Sequence, residues 1–307
     1  MAYRLNAAYE SAGSFRDGVE SERFFVAPTL SWEISDDTEL TLEFSYLNDT
    51  RPRDNGLVVL SNNEVADIPF DTFLGDPDAR LDIEEIRTEL YLDHRFNDYL
   101  SSRSLLRYTT GSEVGPVIDI VLGSPSDDDR NFLIGDFRGD ASSESFIVQN
   151  DLIAEFETGA IEHTLLFGLE YAYQFTDDNA IRRRGATIDI FNPTTDFTFD
   201  EEFSPLGSAE LERNSFGIYL QDQIAILDNL QLVIGGRFDI FNEEFSLDGE
   251  TISETEADAF SPRVGIVYQP IEPVSLYASY SRSFTPVEGR NVDNEPFDPQ
   301  RGTGFEV

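Results

Sequence analysis

The chain has 307 residues, no cysteine and a formal net charge of −39 at pH 7, with 60 acidic against 21 basic residues. Without cysteine there is neither a disulfide framework nor thiol chemistry, and the acidity excludes nucleic acid as a partner because phosphate binding requires a basic surface. The sequence contains no long apolar run and therefore predicts no transmembrane helix.

Five short turns alternate along the chain with six long polar segments. The short turns are Ser35-Asp36-Asp37, Asn97-Asp98-Tyr99, Glu157-Thr158-Gly159-Ala160, Leu227-Asp228-Asn229 and Pro270-Ile271-Glu272-Pro273. The long segments are approximately Ala12–Ser21, Asp49–Asp82, Gly111–Ser142, Thr176–Glu210, Ser246–Thr255 and Thr285–Thr303. Tight turns at one end of the strands and long loops at the other are typical of bacterial outer-membrane β-barrels. A soluble sandwich has no reason for this asymmetry.

The stretches between the turns alternate apolar and polar residues with a period of two, as strands with two different faces do. In chain order, clear examples are Leu40–Tyr46, Leu165–Phe175, Asn214–Ile226, Leu230–Phe241 and Val274–Ser281. Asp222 departs from the pattern because it falls in the apolar register. It is expected either to lie at a membrane interface or to mark a bulge.

Two environments fit this alternation: a soluble sheet with one dry face, and a barrel with lipid outside and a polar lumen. Segments such as Glu84–Phe96, Ile161–Phe175 and Leu230–Phe245 exceed the usual globular strand of about 5–6 residues. They are long enough to cross a membrane, which takes about 9–11 residues. Many of the 25 Phe and 12 Tyr also cluster near strand ends, as interfacial aromatic girdles do. We therefore predict an all-β, antiparallel transmembrane β-barrel meander.

The strand count suggests a segment of a larger barrel. We count about eleven full strands, with another opening at Gly304–Val307, whereas bacterial single-chain barrels have an even number. Residues 1–307 are thus expected to form about half of a 22-stranded plugged barrel. In that case the N-terminal plug and the C-terminal strands are not part of this segment.

The most distinctive motif is Tyr219-Leu220-Gln221-Asp222 followed by Gly235-Gly236-Arg237-Phe238-Asp239. This pair resembles the Y-x-Q-D … G-G-R-x-D hairpin of TonB-dependent siderophore receptors. Further segments that resemble this family are Phe15–Asp17, Glu22–Pro28, Phe260–Pro270, Val274–Pro286 and Pro299–Val307. The resemblance covers essentially the whole chain and is most specific from Phe216 to Val307.

The resemblance implies an outer-membrane receptor and transporter for ferric siderophores, which its loops and lumen would bind. It implies no covalently bound cofactor, contact with outer-membrane lipid, and energy supplied by TonB through a plug that residues 1–307 do not contain. Two alternatives remain open: a passive outer-membrane porin and a soluble acidic β-sheet binding module. A porin is normally complete within about 16–18 strands and lacks a plug.

No enzyme is predicted, because the sequence has no Gly-x-Ser-x-Gly elbow, no His-Glu-x-x-His motif and no Walker loop. His94 and His163 are the two histidines and lie in different predicted strands, which argues against a histidine-based metal or catalytic site. Acidic runs such as Asp127-Asp128-Asp129 are interpreted mainly as solvated loops, with divalent cation binding as the alternative.

Four residues are candidate ligand contacts. Arg182, Arg183 and Arg184 form the one basic run of the chain and fall in a predicted outer loop. They could meet an anionic ferric complex through charge-assisted hydrogen bonds, although a solvated loop tip is the commoner role of such a run. Tyr219 is the fourth, and packing in the lumen explains it equally well.

A second group of candidates falls in the polar register of the strands and is expected to face the lumen and the plug. These residues are Gln221, Arg237, Asp239, Arg263 and Tyr277. Arg237, Asp239 and Arg263 are predicted to pair across adjacent strands. A structural ion-pair ladder is preferred over ligand contact, since cross-strand charge pairs commonly stabilise sheets.

Overall fold

The computed structural model describes residues 1–54, 56, 58–125, 129–287, 291, 297 and 299–307, without the side chains of residues 122–125. Within these residues the chain forms twelve β-strands: β1 (Ala2–Gly13), β2 (Glu20–Ser35), β3 (Thr38–Pro52), β4 (Arg80–Asn97), β5 (Leu100–Pro125), β6 (Asn131–Thr158), β7 (Ile161–Asp189), β8 (Ser204–Leu227), β9 (Leu230–Leu247), β10 (Glu250–Ile271), β11 (Val274–Thr285) and β12 (Gln300–Glu306). All belong to one sheet in which each strand pairs antiparallel with its neighbours in sequence. The predicted antiparallel meander is confirmed.

No helix in the described part of the chain is long and apolar enough to span a membrane.

The register of the sheet places residues of matching polarity side by side. Tyr219 of β8 lies opposite Arg237 of β9, and Arg263 of β10 lies opposite Gly235 of β9. Because successive side chains of a strand point to opposite faces, this register gathers the polar positions on one face and the apolar positions on the other.

The apolar face has no protein layer over it along the middle of the described strands. Leu220 is 51% exposed, Ile234 47% and Leu276 57%. The apolar neighbours that each of them has in the same register do not cover it. Extended apolar surface of this kind marks contact with another apolar phase, and a belt of it around a strand sheet is what a lipid-facing barrel wall presents. The described strands form a single sheet, so the second sheet that a sandwich requires is not found among them.

The sheet curves so that its polar face is concave. Glu33 of β2 and Leu166 of β7 line the same cavity of ≈ 940 Å³, together with residues of the strands between them. Neighbouring strands lie about 4.8 Å apart, so residues five strands apart share a cavity only if the sheet bends toward them. We call this polar, inward-curving face the concave wall.

The strands are longer than predicted at the end opposite the short turns. Gly111–Ser142 is expected to be a loop, yet β5 and β6 remain paired as far as Ile120 and Ile134. Likewise β7 continues to Asp189. The loop prediction is wrong here because the backbone ladder forms independently of side-chain polarity, whereas the sequence criterion depends on alternating apolar residues.

A hydrophobic core packs against these strand extensions. Its buried members are Val58, Ala66, Leu74, Ile120, Phe132, Ile134, Ala186, Ile188 and Ile190. The segment between β3 and β4 therefore folds onto β5–β7, and the amide of Asp76 donates to the carbonyl of Ile118 over 3.1 Å. Burial of apolar side chains orders this acidic segment. Asp127 and Asp128 of the other acidic run lie outside the described residues, as do residues 288–290, 292–296 and 298 of the last long segment.

Asp222, the exception in the apolar register, does not mark a bulge. It keeps the regular register opposite Leu165 and Ile234. Its Oδ2 lies 2.8 Å from Nδ1 of His163, which is two residues from the turn that begins β7. The pair lies near the short-turn rim of the apolar face, where polar headgroups rather than hydrocarbon would surround it. Oδ1 of Asp222 is buried without a hydrogen-bond partner among the described residues.

Candidate functional site on the concave wall

Arg237 is the centre of a polar cluster on the concave wall that spans β6 to β9. Its Nη2 donates to Oε1 of Glu170 on β7 over 2.7 Å, and its Nε donates to Oδ1 of Asp239 over 2.6 Å. Its guanidinium also lies 5.3 Å from the centre of the Tyr219 ring. Two carboxylates and one aromatic face therefore occupy this cation, which fits a structural role.

Tyr219 extends the cluster to β6. Its hydroxyl donates to Oδ1 of Asp151, and Nε2 of Gln149 donates to the Tyr219 hydroxyl over 2.9 Å. The same Gln149 nitrogen lies 3.0 Å from Oδ2 of Asp151. Because Tyr219, Gln149 and Asp151 are all hydrogen-bonded to one another, the ring of Tyr219 is held in one orientation. The contact joins β8 to β6.

Two glycines make room for this cluster. A Cβ on Gly168 would overlap the ring of Tyr219, and a Cβ on Gly217 would overlap the guanidinium of Arg237 and lie 2.9 Å from Oδ1 of Asp239. Both distances are shorter than those that Cβ atoms make with their neighbours in real structures. The glycines of the polar register therefore let large side chains lie flat against the barrel backbone.

Further ion pairs continue the concave wall over β4 and β5. Arg107 pairs with Glu89, and Nε of Arg103 lies 2.7 Å from Oδ1 of Asp93. Toward the short turns, Arg95 bonds Asp37 over 2.6 Å, and this hydrogen bond raises the pKa of Arg95 further above its ordinary value.

The remaining wall candidates share this face but not the cluster. Gln221 lies opposite Gly235, Tyr277 is 55% exposed, and Arg263 is exposed opposite Gly235. Arg263 forms no ion pair among the residues that the structure describes. The predicted pairing of Arg263 with its neighbours on β9 is therefore wrong: Gly235, directly opposite, offers no side chain, and Arg237 uses Asp239 and Glu170.

The basic run Arg182–Arg184 lies in strand β7 rather than in a loop. Arg182 and Arg183 lie opposite Phe137 and Asp136 of β6. Arg183 binds the fully buried Asp136 through Nε and Nη2, over 2.9 and 2.8 Å. Its guanidinium also lies 4.5 Å from the ring centres of Phe199 and Phe203. Arg183 therefore stabilises the extension and is not available to a ligand.

The two flanking arginines differ from Arg183. Arg182 lies opposite Phe137 in the register of the concave wall and has no ion pair within the described residues. Arg184 is half-buried, and its Nε has no hydrogen-bond partner within the same residues. No group of three or more His, Asp or Glu side chains in the described part is arranged to hold a metal ion.

Sequence reasoning named Asp239 but missed three other acceptors in these contacts. Glu170, Asp151 and Asp136 are far from Arg237, Tyr219 and Arg183 in sequence, and no motif links them. These contacts can be recognised only when the register of β6–β9 is known. That register places Glu170 opposite Gly217 and Asp136 opposite Arg183.

A meander with a bare apolar face and an ion-paired concave wall is the wall of a transmembrane β-barrel. Comparison with known proteins gives the family: residues 30–307 match the family described as TonB dependent receptor-like, beta-barrel, and the chain belongs to it. This is a family of outer-membrane transport receptors, not of enzymes. The apolar face is accordingly the lipid-facing one.

Several characterised proteins are similar along the whole chain. It is 30% identical over 323 residues to the metal-pseudopaline receptor CntO of Pseudomonas aeruginosa, covering 100% of this chain and 44% of that protein. It is 28% identical over 338 residues to the ferrichrome outer membrane transporter/phage receptor of Escherichia coli K12, covering 100% and 45%. The crystal structure of the siderophore receptor PiuA from Acinetobacter baumannii matches with a TM-score of 0.83 at 22% identity, covering 99% of this chain and 49% of that one. The chain thus spans less than half the length of these proteins.

Proposed function

We propose that this chain is part of the barrel of an outer-membrane receptor that binds a ferric siderophore and imports it. The observation that carries this proposal is the ion-paired concave wall behind a lipid-facing belt, in a chain of this family. A polar lumen beneath long strand extensions forms a concave site in which a polar ligand can be surrounded. The names of the relatives support the ligand class, since they are receptors for ferrichrome, ferrioxamine and metal-pseudopaline.

We further propose that residues 1–307 supply barrel strands and outer extensions, while a plug elsewhere in the receptor fills the lumen and contacts TonB. The charged cluster around Arg237 would then be wall that the plug faces, together with Gln221, Arg263 and Tyr277. Because Glu170 and Asp239 already neutralise Arg237, this wall offers a fixed hydrogen-bonding surface rather than a free cation.

Of the four candidate ligand contacts, the structure favours Arg182. It lies in the concave register without an ion pair among the described residues, whereas Arg183 is bound to Asp136 and Tyr219 to Asp151. A guanidinium free of internal partners can pair with an anionic oxygen of the chelate. Arg184 would contribute through its unpartnered Nε.

The test is iron uptake by the full-length receptor in its own cells. ⁵⁵Fe-loaded ferrichrome, ferrioxamine B and a ferric tris-catecholate are supplied to wild-type cells, to cells lacking the receptor gene, and to cells lacking TonB. We expect uptake of at least one chelate to be lost in both mutants and restored by the full-length gene. Uptake that depends on the receptor but persists without TonB would indicate a passive porin instead. If uptake of a zinc or nickel chelate alone depends on the receptor, the ferric assignment is wrong.

A further inference from the structure

A second cavity, of ≈ 310 Å³, lies among the outer extensions of β4–β7 in the register of the concave wall. It is separate from the cluster around Arg237, and none of the nine candidates from the sequence lines it. Its walls include Leu81, Val117 and Phe137, so most of the enclosing side chains are apolar. Small ligands bind in concave, mostly apolar sites of about this size or larger that carry a few fixed polar groups.

The floor of this cavity is made by Gly115 and Gly139, which lie directly opposite one another on β5 and β6. Gly115 must be glycine, because its φ is +141° and a Cβ would lie 2.6 Å from the carbonyl oxygen of Arg80. Gly139 is under no such constraint: a Cβ there would meet nothing within 4 Å. Any side chain at Gly139 would instead project into the cavity, so its absence keeps the cavity open.

The charges around the cavity limit what can bind. Arg53 is the cation that lines it and forms no ion pair among the described residues. Glu113 and Asp178 also line it. One guanidinium can pair with one anionic oxygen, while the two carboxylates repel a group that carries several negative charges.

We propose that this cavity binds a flat aryl arm of the metal chelate, an aromatic ring that carries one anionic oxygen. The ring lies on the exposed peptide backbone of Gly115 and Gly139, packs against Phe137, and places its oxygen at Arg53. A flat ring uses a floor without Cβ atoms more fully than a branched aliphatic group does. This inference rests on the proposed function and adds the chemical class of the bound arm.

The experiment measures binding of two ⁵⁵Fe-labelled probes to the purified full-length receptor. They are ferrioxamine B and a ferric tris(hydroxyphenyl-oxazoline) complex, whose rings each carry one phenolate oxygen. Gly139→Trp fills the cavity, and Arg53→Gln removes the cation while keeping a side chain of similar length. Gly13→Trp is the matched control, because a Cβ at Gly13 also meets nothing within 4 Å and the residue lies on β1. Heat-modifiable migration on gels reports whether each variant has assembled.

We expect the affinity for the phenolate complex to fall about tenfold in Arg53→Gln, since loss of one charge-assisted bond has that effect. In Gly139→Trp it should fall at least about tenfold, because the indole occupies the cavity. Gly13→Trp should bind as the wild type does. If Gly139→Trp does not assemble, Arg53→Gln decides. Unchanged affinity for the phenolate complex in the assembled variants overturns the subsite, as does a wild type that binds ferrioxamine B alone. Neither result touches the proposed function, which fails only if receptor-dependent iron uptake is absent.

Discussion

Tyr219 on β8 lies directly over Gly168 on β7, and the two are opposite each other in the strand register. The contact is so close that a Cβ on Gly168 would overlap the ring. The hydroxyl of Tyr219 is meanwhile tied to Asp151 on β6. One aromatic side chain therefore connects three consecutive strands, and the missing Cβ of Gly168 is what allows it.

Gly168→Ala should lower the free energy of unfolding of the full-length receptor by about 1–3 kcal/mol, the usual cost of forcing a methyl group into a filled site. Urea titration of the protein in lipid vesicles measures it. The matched control is Gly265→Ala, since a Cβ there would meet nothing closer than 3.9 Å. In the double variant with Tyr219→Ala, the cost of the Gly168 substitution should largely disappear. Equal costs at Gly168 and Gly265 would contradict the packing described.

The sheet itself could be read from the sequence because its two faces differ in polarity at every step. From Leu230 to Ile240 one face carries Leu230, Leu232, Ile234, Phe238 and Ile240, while the other carries Gln231, Arg237 and Asp239. The short turn at Asp228 fixes the pairing with β8. The strand extensions could not be read in this way. Ser142, Ser143 and Asp140 pair in the β5–β6 ladder, but their side chains resemble those of a loop. Only the backbone hydrogen bonds distinguish the two.

The basic run provides a second prediction, because neighbouring arginines have opposite roles. Arg183→Gln leaves the fully buried Asp136 with one weaker partner, Arg138 at 3.3 Å. Losing hydrogen bonds to a buried charge should lower the free energy of unfolding by about 1.5–3 kcal/mol. Arg182→Gln should leave stability within about 0.5 kcal/mol, the usual range for such surface changes.

Binding should show the reverse order for these two arginines. Arg182→Gln is expected to weaken chelate binding about tenfold, as the loss of one charged contact does, while assembled Arg183→Gln binds nearly normally. Titration of the purified receptor with the chelate that it imports measures both. If Arg183→Gln lost binding while its stability was unchanged, Asp136 would not be its principal partner.

These arginines also show which part of the site could not be predicted from the sequence. Composition identified the run Arg182–Arg184 as unusual in an acidic chain, and charge alone treated its members as equivalent. Their different roles follow from the alternation of side chains between the two faces of a strand. In β7, Arg182 shares the register of the concave wall, and Arg183 points to the other face. There it binds Asp136, which is 47 residues away in sequence. No local pattern encodes that distance.

Topology gives a third prediction, for which the lack of cysteine provides a clean background. Single cysteines at Asp36, Asp98 and Asp228, in the short turns, should be protected from a membrane-impermeant thiol reagent on intact cells. Cysteines at Asn62 and Asn291, at the opposite rim, should be labelled. All sites should react after the membrane is broken. Labelling of the short-turn set on intact cells would show that the orientation is inverted.

The last prediction compares arginine substitutions at two valines, one on each face of the sheet. Val264 is 43% exposed on the apolar face, opposite Ile234 of the neighbouring strand, while Val233 lies on the concave wall opposite Gly265. Arginine near the middle of a lipid-facing wall costs about 2–4 kcal/mol, whereas lumen substitutions mainly alter selectivity. Val264→Arg should therefore reduce the heat-modifiable, assembled fraction far more than Val233→Arg. Ile234 is less suitable, because Asp222 lies opposite and would pair with the new cation.

A face packed against protein would also reject arginine, so a further substitution must distinguish lipid from a protein core. Leu232 lies on the apolar face opposite Ile266. Leu232→Trp should assemble normally, because lipid chains rearrange around a larger side chain, while a dry protein interior would be overpacked at a cost of about 1–3 kcal/mol. The same gel assay and urea titration apply. If Leu232→Trp were as damaging as Val264→Arg, this face would pack against protein, and the lipid-facing assignment would have to be abandoned.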